Sequence, residues 1–392
     1  MNTSSQVNKS DNASLSELLP TSFQDLLKDR TSRAKEWKAS GGKIAGYLSN
    51  NIPLEIIHAA ELMPFHLIGD PSQPTPLADE FMEPAFDPIT RSIFQKLLAG
   101  EYNYLDLIVL PRCNDSHQRL YYYISEIQRK YPQYNLPPVF LVDLLHSPRE
   151  TSAKHNLIKF QKFCHFMAKF NQKEIINDRL KISTKKYNLA RDQLEIFNEY
   201  RANKSIPSAI SYLIYSAAFS LPIEEFIDGM KEIINTLKNN SVISKSDVAK
   251  KRIIIVGNGL DHPALHSMID NLNTIVVGDY HAFGNHFLVG HIENESSDDQ
   301  LSLLTTHYYK DTKSSRTFLT NPFEIVDFAK QQNAQGVIFF YIKKEEALSW
   351  HYPKQLKACI DAGMNSLLLT DQPYQLDSLE TSQQLKPFIE NL

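Results

Sequence analysis

Residues 43–69 read KIAGYLSNNIPLEIIHAAELMPFHLIG, and the fold follows from them. KIAGYLS (Lys43 to Ser49) is a short apolar run of strand character. PLEIIHAAEL begins a helix with Pro53 in the first turn, where the missing N–H has no partner to lose. PFHLIG is a second strand. A strand, a helix and a strand without a hairpin signal form a β-α-β unit, which pairs its strands in parallel. The rhythm continues through a helix around Ile89 to Leu98, the strand DLIVLP (Asp106 to Pro111), a helix from Ser116 to Lys130 and the strand PVFLVDL (Pro138 to Leu144). These strands are continuously apolar rather than alternating, so both faces of their sheet are covered.

Between His146 and Ser246 helical spacing takes over, with Ile158, Phe163, Phe166, Met167 and Phe170, then Leu180, Tyr187, Leu194 and Phe197. The α/β rhythm resumes at RIIIVGN (Arg252 to Asn258), followed by a helix with Asp261 as its expected N-cap and Pro263 in its first turn. TIVVGD, GVIFFYI and SLLLTD are three more strands, and Leu379 to Leu392 is a closing helix. The expected class is α/β, with two Rossmann-like parallel-sheet lobes and an intervening helical segment. The expected divisions are a polar, disordered leader (1–14), a helix from Leu15 to Lys38 plus the first lobe (15–147), the helical segment (148–248) and the second lobe (249–392).

A chain of 392 residues with 42% hydrophobic and 22% charged residues has ample material for two cores. Its formal charge of −4 supplies no broad field for nucleic acid or an anionic membrane surface, so an anionic ligand must be held locally. Three widely spaced cysteines, Cys113, Cys164 and Cys359, argue against a disulfide framework and for a reducing compartment, the cytoplasm. No run of about 18 uncharged apolar residues suggests a membrane span.

In open parallel sheets ligands collect beyond the carboxyl ends of strands, where loops and helix N-termini converge. That rule selects Ser49-Asn50-Asn51, Arg112 to Asp115, Gly257-Asn258-Gly259, Asp279-Tyr280-His281 and Thr370-Asp371. The Gly257 to Gly259 turn is either an anion cradle or a tight entry into a helix. His262 and His266, at i and i+4, are either half of a metal site or ordinary capping and surface histidines. Asp279, His281, His286 and His291 offer a metal site or a general base, or else form a polar loop. Cys113 differs from Cys164 and Cys359, which sit in apolar helical patterns. Arg112 beside it and the helix N-terminus after it both favour a reactive or ligating thiolate. The Tyr121 to Tyr123 run reads as packing, and KKEE (Lys343 to Glu346) as a solvated connection.

Taken in order, GKIAGYLSNNIPLEIIHAAELMPFHLIG, DPITRSIFQKLLAG with LDLIVLPRCNDSHQRLYYY, RIIIVGNGLDHPALHSMIDNLNTIVVGDYHAFG and SLLLTDQPYQLDSLETSQQLKPFIENL resemble the 2-hydroxyacyl-CoA dehydratase and benzoyl-CoA reductase family over roughly residues 40–392. The resemblance implies a dimeric enzyme or enzyme subunit acting on a CoA thioester. It also implies a four-iron four-sulfur cluster on three cysteines and an ATP-driven activator that supplies an electron for ketyl-radical chemistry. Of the three cysteine positions one matches Cys113, while Asp87 and Ala282 stand at the others, and one thiolate does not replace three.

The expected function is therefore a divergent dehydratase-like protein holding an acyl-CoA or related thioester in the inter-lobe cleft, as a homo- or heterodimer with a related subunit. If active, it is a lyase or reductase. The alternatives are a non-catalytic partner of an intact homologue and a cluster-free biosynthetic enzyme. Ser49, Glu55, Cys113 and the Asn258 turn are expected to line the cleft. Glu55 is the expected acid or base, backbone amides near Asn258 and Gly259 the anion donors, and Asn114 a further ligand contact. Asp87, Cys113 and His281 or His286 make up a candidate zinc or iron site.

Overall fold

Alternation of short apolar strands with helices produces two sheets in the computed structural model, which describes residues 18–239, 250–293, 299–310, 321–345 and 347–392. The first part runs α1 (Thr21–Asp25), α2 (Ser32–Ala39), β1 (Lys43–Tyr47), α3 (Leu54–Ala59), β2 (Leu62–His66), α4 (Pro76–Asp79), α5 (Pro88–Leu98), β3 (Leu107–Pro111), α6 (Asp115–Lys130) and β4 (Val139–Val142). Four helices follow: α7 (Glu150–Asn171), α8 (Asn177–Asn203), α9 (Ser208–Ser220) and α10 (Ile223–Asn239). The last part is β5 (Lys251–Gly257), α11 (Ala264–Asp270), β6 (Thr274–Tyr280), α12 (Gln300–Lys310), α13 (Glu324–Gln331), β7 (Gly336–Ile342), α14 (Tyr352–Asp361), β8 (Asn365–Gln372) and α15 (Ser378–Glu390).

Every strand pairing is parallel, and the orders are β2-β1-β3-β4 and β6-β5-β7-β8. In each lobe the chain moves from its first strand to one side and then returns to the other. The switch point thus lies between β1 and β3 in one lobe and between β5 and β7 in the other. β3 and β7 are buried along their whole length, as their unbroken apolar sequences require. Pro64 is tolerated in β2 because that strand is an edge. One core joins β1 and β3 to α3 and all four middle helices, through Tyr47, Val109, Phe160, Phe197 and Met230, and includes Leu304 and Tyr308 of α12. The helical segment thus forms a layer over the first sheet.

Several local expectations are corrected. Leu15 to Lys38 is not one helix within the described residues. Pro20 stands before α1, and the Asp29 carboxylate accepts from the N–H (2.8 Å) and hydroxyl (2.6 Å) of Thr31, a local turn that interrupts the run. Asp261 is not an N-cap: α11 starts three residues later, and Asp261 accepts instead from the Tyr374 hydroxyl. The strand expected at Pro64 to Gly69 lies two residues earlier. The leader at 1–14, the end of the helical stretch at 240–249 and Glu346 of the charge run fall outside the described residues.

Two buried ion pairs fasten α8 to both lobes. Arg191 bonds Glu55 of α3, whose other oxygen accepts from the Tyr308 hydroxyl at 2.9 Å. Arg201 bonds Asp279 at the end of β6 (2.6 Å) and the Val276 carbonyl (3.0 Å), and His266 adds a contact of 2.9 Å to Asp279. Burial alone would push both carboxyls up, but the guanidinium opposite each holds it below the ordinary carboxylate value.

Breaking one such pair strands a charge, whereas removing both partners does not. Glu55→Leu is expected to lower unfolding free energy by about 3–5 kcal/mol, and the double variant Glu55→Leu/Arg191→Met to recover most of that loss, in urea titrations followed by circular dichroism.

Candidate active site

The carboxyl ends of both sheets border one cavity of about 860 Å³. Ser49, Asp87, Cys113, Asn114 and His117 come from the first lobe, and Asn258, Gly259, His281, Lys343 and Lys344 from the second. Ser49 follows β1 and Cys113 follows β3, so both stand at the first lobe's switch point. The Gly257 to Gly259 turn and Lys343 hold the equivalent places in the second.

β3 ends at Pro111, and Asn114 caps α6 by accepting from the His117 N–H at 2.7 Å. This cap folds the first helical turn back on the residue before it. His117 Nδ1 reaches Cys113 Sγ at 3.1 Å. Burial by itself would raise the thiol, but the charge and hydrogen bond of His117, with a hydrogen bond from Ser49, turn the net shift downward. Burial would likewise lower His117, yet the Cys113 thiolate and, at longer range, the Asp87 carboxylate raise it. The pair therefore favours a thiolate and an imidazolium at the N-terminus of a 16-residue helix, whose dipole favours the anion further. By contrast, burial pushes Cys164 up to about 12 and Cys359 up to about 11.

Ser49 adopts a left-handed conformation (φ 63°), uncommon for a residue with a side chain and retained where neighbours enforce it. Here His66 enforces it, because its Nε2 accepts the Ser49 N–H at 3.0 Å. Burial, aided by Arg30 and His117, lowers His66 to about 3, so it stays a neutral acceptor.

The second lobe builds its wall from backbone turns. Gly257 has φ 115°, and a Cβ there would collide with the Phe340 carbonyl. At Gly259 a Cβ would stand 2.7 Å from His281 Nδ1, so glycine lets that imidazole pack against the turn. Of the expected amide cradle, the Asn258 donor is already engaged. The Asn258 N–H is spent on the Phe340 carbonyl (2.9 Å), and its side chain spans Glu345 (2.8 Å) and the Ile342 N–H (3.2 Å). Glu55 is also corrected: it lies away from the cavity, wholly enclosed and committed to Arg191 and Tyr308.

The expected metal site does not assemble. Among the described residues no three His, Cys, Asp or Glu side chains are arranged to hold a metal ion. Asp87 spends its carboxylate capping α5, accepting from Ile89 N (3.1 Å) and from Thr90 N (3.2 Å). His281 turns Nε2 toward Asp279 at 3.5 Å. His291 leaves for Asp192 (2.9 Å), His262 for the Tyr374 carbonyl (2.9 Å), and His286 joins the lobes through its carbonyl, which accepts from Asn50 (2.9 Å). A four-iron four-sulfur cluster does not fit either. Cys113 is the one thiol among the cavity residues and Ala282 offers no donor.

His117 was not apparent as a partner in the sequence, although Cys113-Asn114-Asp115-Ser116-His117 carries the signal: a capping residue between a thiol and an imidazole four positions apart. Lys343 and Lys344, expected as a solvated connection, border the cavity.

A family model described as the D-component of 2-hydroxyglutaryl-CoA dehydratase matches residues 50–392. The chain is 21% identical over 356 residues to the beta subunit of (R)-2-hydroxyglutaryl-CoA dehydratase of Acidaminococcus fermentans, covering 87% of this chain and 89% of that protein. It is 22% identical over 323 residues to a benzoyl-CoA reductase subunit of Thauera aromatica, covering 78% and 80%.

The His66 shift has a definite sign. Between the ordinary value of 6.5 and about 3 the unfolded chain binds a proton that the folded chain refuses, so stability falls as pH falls through that window. His66→Gln keeps an acceptor but cannot titrate. Its stability is expected to fall less steeply, by about 1.4 kcal/mol per pH unit, when urea midpoints are compared from pH 7 to pH 4.

Proposed function

The chain belongs to the 2-hydroxyglutaryl-CoA dehydratase D-component family, and from that premise we propose that it is a divergent subunit that binds an acyl-CoA or related thioester between its lobes. The observation that carries this reading is the cavity itself, walled by the switch points of both sheets and large enough for an acyl group with part of its carrier. Lys310, Lys343 and Lys344 bring positive charge to its border, suited to the phosphates of CoA in a protein of net negative charge. The border also carries Asp87, Asp115, Asp261, Glu324 and Glu345; Glu345 is engaged by Asn258, Glu324 by the Tyr280 hydroxyl (3.1 Å), Asp87 by the start of α5 and Asp261 by Tyr374, which tempers their repulsion of an anion.

Cluster-based radical dehydration is no part of this proposal, because the donor set does not suit a cluster. Both relatives are named as subunits, which supports assembly with a related chain. That favours a second reading, a non-catalytic partner of an intact homologue. None of the three cysteines is tied in a disulfide, in keeping with a cytoplasmic setting. Among the described residues no helix is long and apolar enough to cross a membrane.

Calorimetric titration with benzoyl-CoA and with 2-hydroxyglutaryl-CoA tests the proposal. Saturable binding is expected. The Lys343→Glu/Lys344→Glu variant should weaken it by about 1–2 kcal/mol, roughly five- to thirtyfold, with a shallower salt dependence. No binding of either compound, or of free CoA, would remove the thioester reading and leave the partner-subunit one.

A further inference from the structure

We propose that Cys113 is a nucleophile that takes the acyl group of a bound thioester onto its sulfur, with His117 as the proton carrier. The proposal rests on the reading that the cavity accepts a thioester, and it adds covalent acyl transfer, which needs neither a metal nor an electron donor.

Four observations converge on it. Cys113 Sγ and His117 Nδ1 are in contact at 3.1 Å, the separation that a thiol and its base require. Both line the cavity, although only 3% of Cys113 is open to solvent, so the sulfur is reached through that space. Ser49, held in its uncommon conformation by His66, stands at the neighbouring strand end with its hydroxyl beside the sulfur and within 3.2 Å of Asn50 Oδ1. Across the cavity His281, 6% exposed, has an Nδ1 with no hydrogen-bond partner among the described residues, seated against the Gly259 turn. An enclosed nitrogen left without a partner is costly unless a ligand supplies one. A hydroxyl or amide group of a bound acyl chain would do so.

The step balances without redox change. The Cys113 thiolate adds to the thioester carbonyl carbon, forming a carbon–sulfur bond. The resulting oxyanion can be met by the Ser116 N–H, a first-turn donor of α6 on the cavity wall that the Asn114 cap does not use. Collapse breaks the bond to the carrier sulfur, and the departing thiolate takes the His117 proton. The products are S-acyl-Cys113, neutral His117 and the free carrier thiol. His117 can then remove a proton from water or another acceptor that attacks the acyl group, releasing the Cys113 thiolate.

Two measurements on the full-length protein test this. The first is the pH dependence of iodoacetamide alkylation, followed at Cys113 by peptide mapping. The other ionisable groups around the pair are Asp87, His66, Asp115 and Arg119, with Asp261, His281, His286, Lys343, Lys344 and Glu345 across the cavity. An inflection well below the ordinary thiol value of about 8.5 is expected, returning toward it in His117→Ala. The second is incubation with benzoyl-CoA and intact-protein mass spectrometry under mildly acidic quench. One benzoyl group is expected on Cys113 with one equivalent of CoA released, none in Cys113→Ser, and formation slowed about a hundredfold or more in His117→Ala and in His117→Gln, which keeps a polar contact but carries no proton. Circular dichroism checks that each variant folds.

An ordinary thiol profile overturns the proposal, as does an adduct that forms equally fast without His117. Calorimetric binding of benzoyl-CoA without an adduct overturns acyl transfer and leaves the thioester-binding reading intact. No binding at all removes both.

Discussion

One helix holds the molecule in register. Two buried guanidinium groups of α8 stand ten residues apart, about 15 Å along the axis, each against a carboxylate of a different lobe: Arg191 on Glu55, Arg201 on Asp279. Desolvating a charge is expensive, so a buried pair of this kind tolerates little displacement once formed. With both pairs on one rigid rod, the distance between the two sheets is set by the helix rather than by loops. The cavity where the strand ends meet inherits its width from that spacing.

The cavity in turn shows how a thiol finds a partner close at hand. Both switch points face it, and Cys113 stands just past the end of β3. Its partner is local: an imidazole on the next helical turn, brought into contact by the Asn114 cap. An iron–sulfur cluster needs thiolates delivered from several loops at once. A thiolate–imidazolium pair needs only one turn of helix, and Asp87, on the same cavity wall, is committed to the N-terminus of α5.

Much of this was legible in the amino-acid order. GVIFFYI became β7 residue for residue, because a run of buried apolar side chains in a central parallel strand has no other use. Ser49, Asp87, Cys113, Asn114, Gly259 and His281 border the cavity because each follows a strand or starts a helix, and such positions can be found by counting. What could not be counted was pairing at a distance. Glu55 looks like a cleft carboxylate when it opens a helix, and its commitment to Arg191, 136 residues away, exists only in three dimensions. The same holds for the histidines: His262 leaves for the Tyr374 carbonyl and His291 for Asp192, while His266 and His281 both turn to Asp279. Neighbourhood in sequence suggested a cluster, and the strand and helix directions dispersed it.

The shared strand order of the two sheets carries a consequence for how a ligand would lie. The loop after the third strand bears Cys113 in one half of the molecule, and its counterpart after β7 bears Lys343 and Lys344. Topological twins thus present a soft, electron-rich atom on one bank and hard cations on the other. An elongated guest with one electrophilic end and one anionic end has a single favourable way round. The pseudo-symmetric scaffold becomes a polarised clamp, its direction written by a difference of side chains between two otherwise equivalent bends.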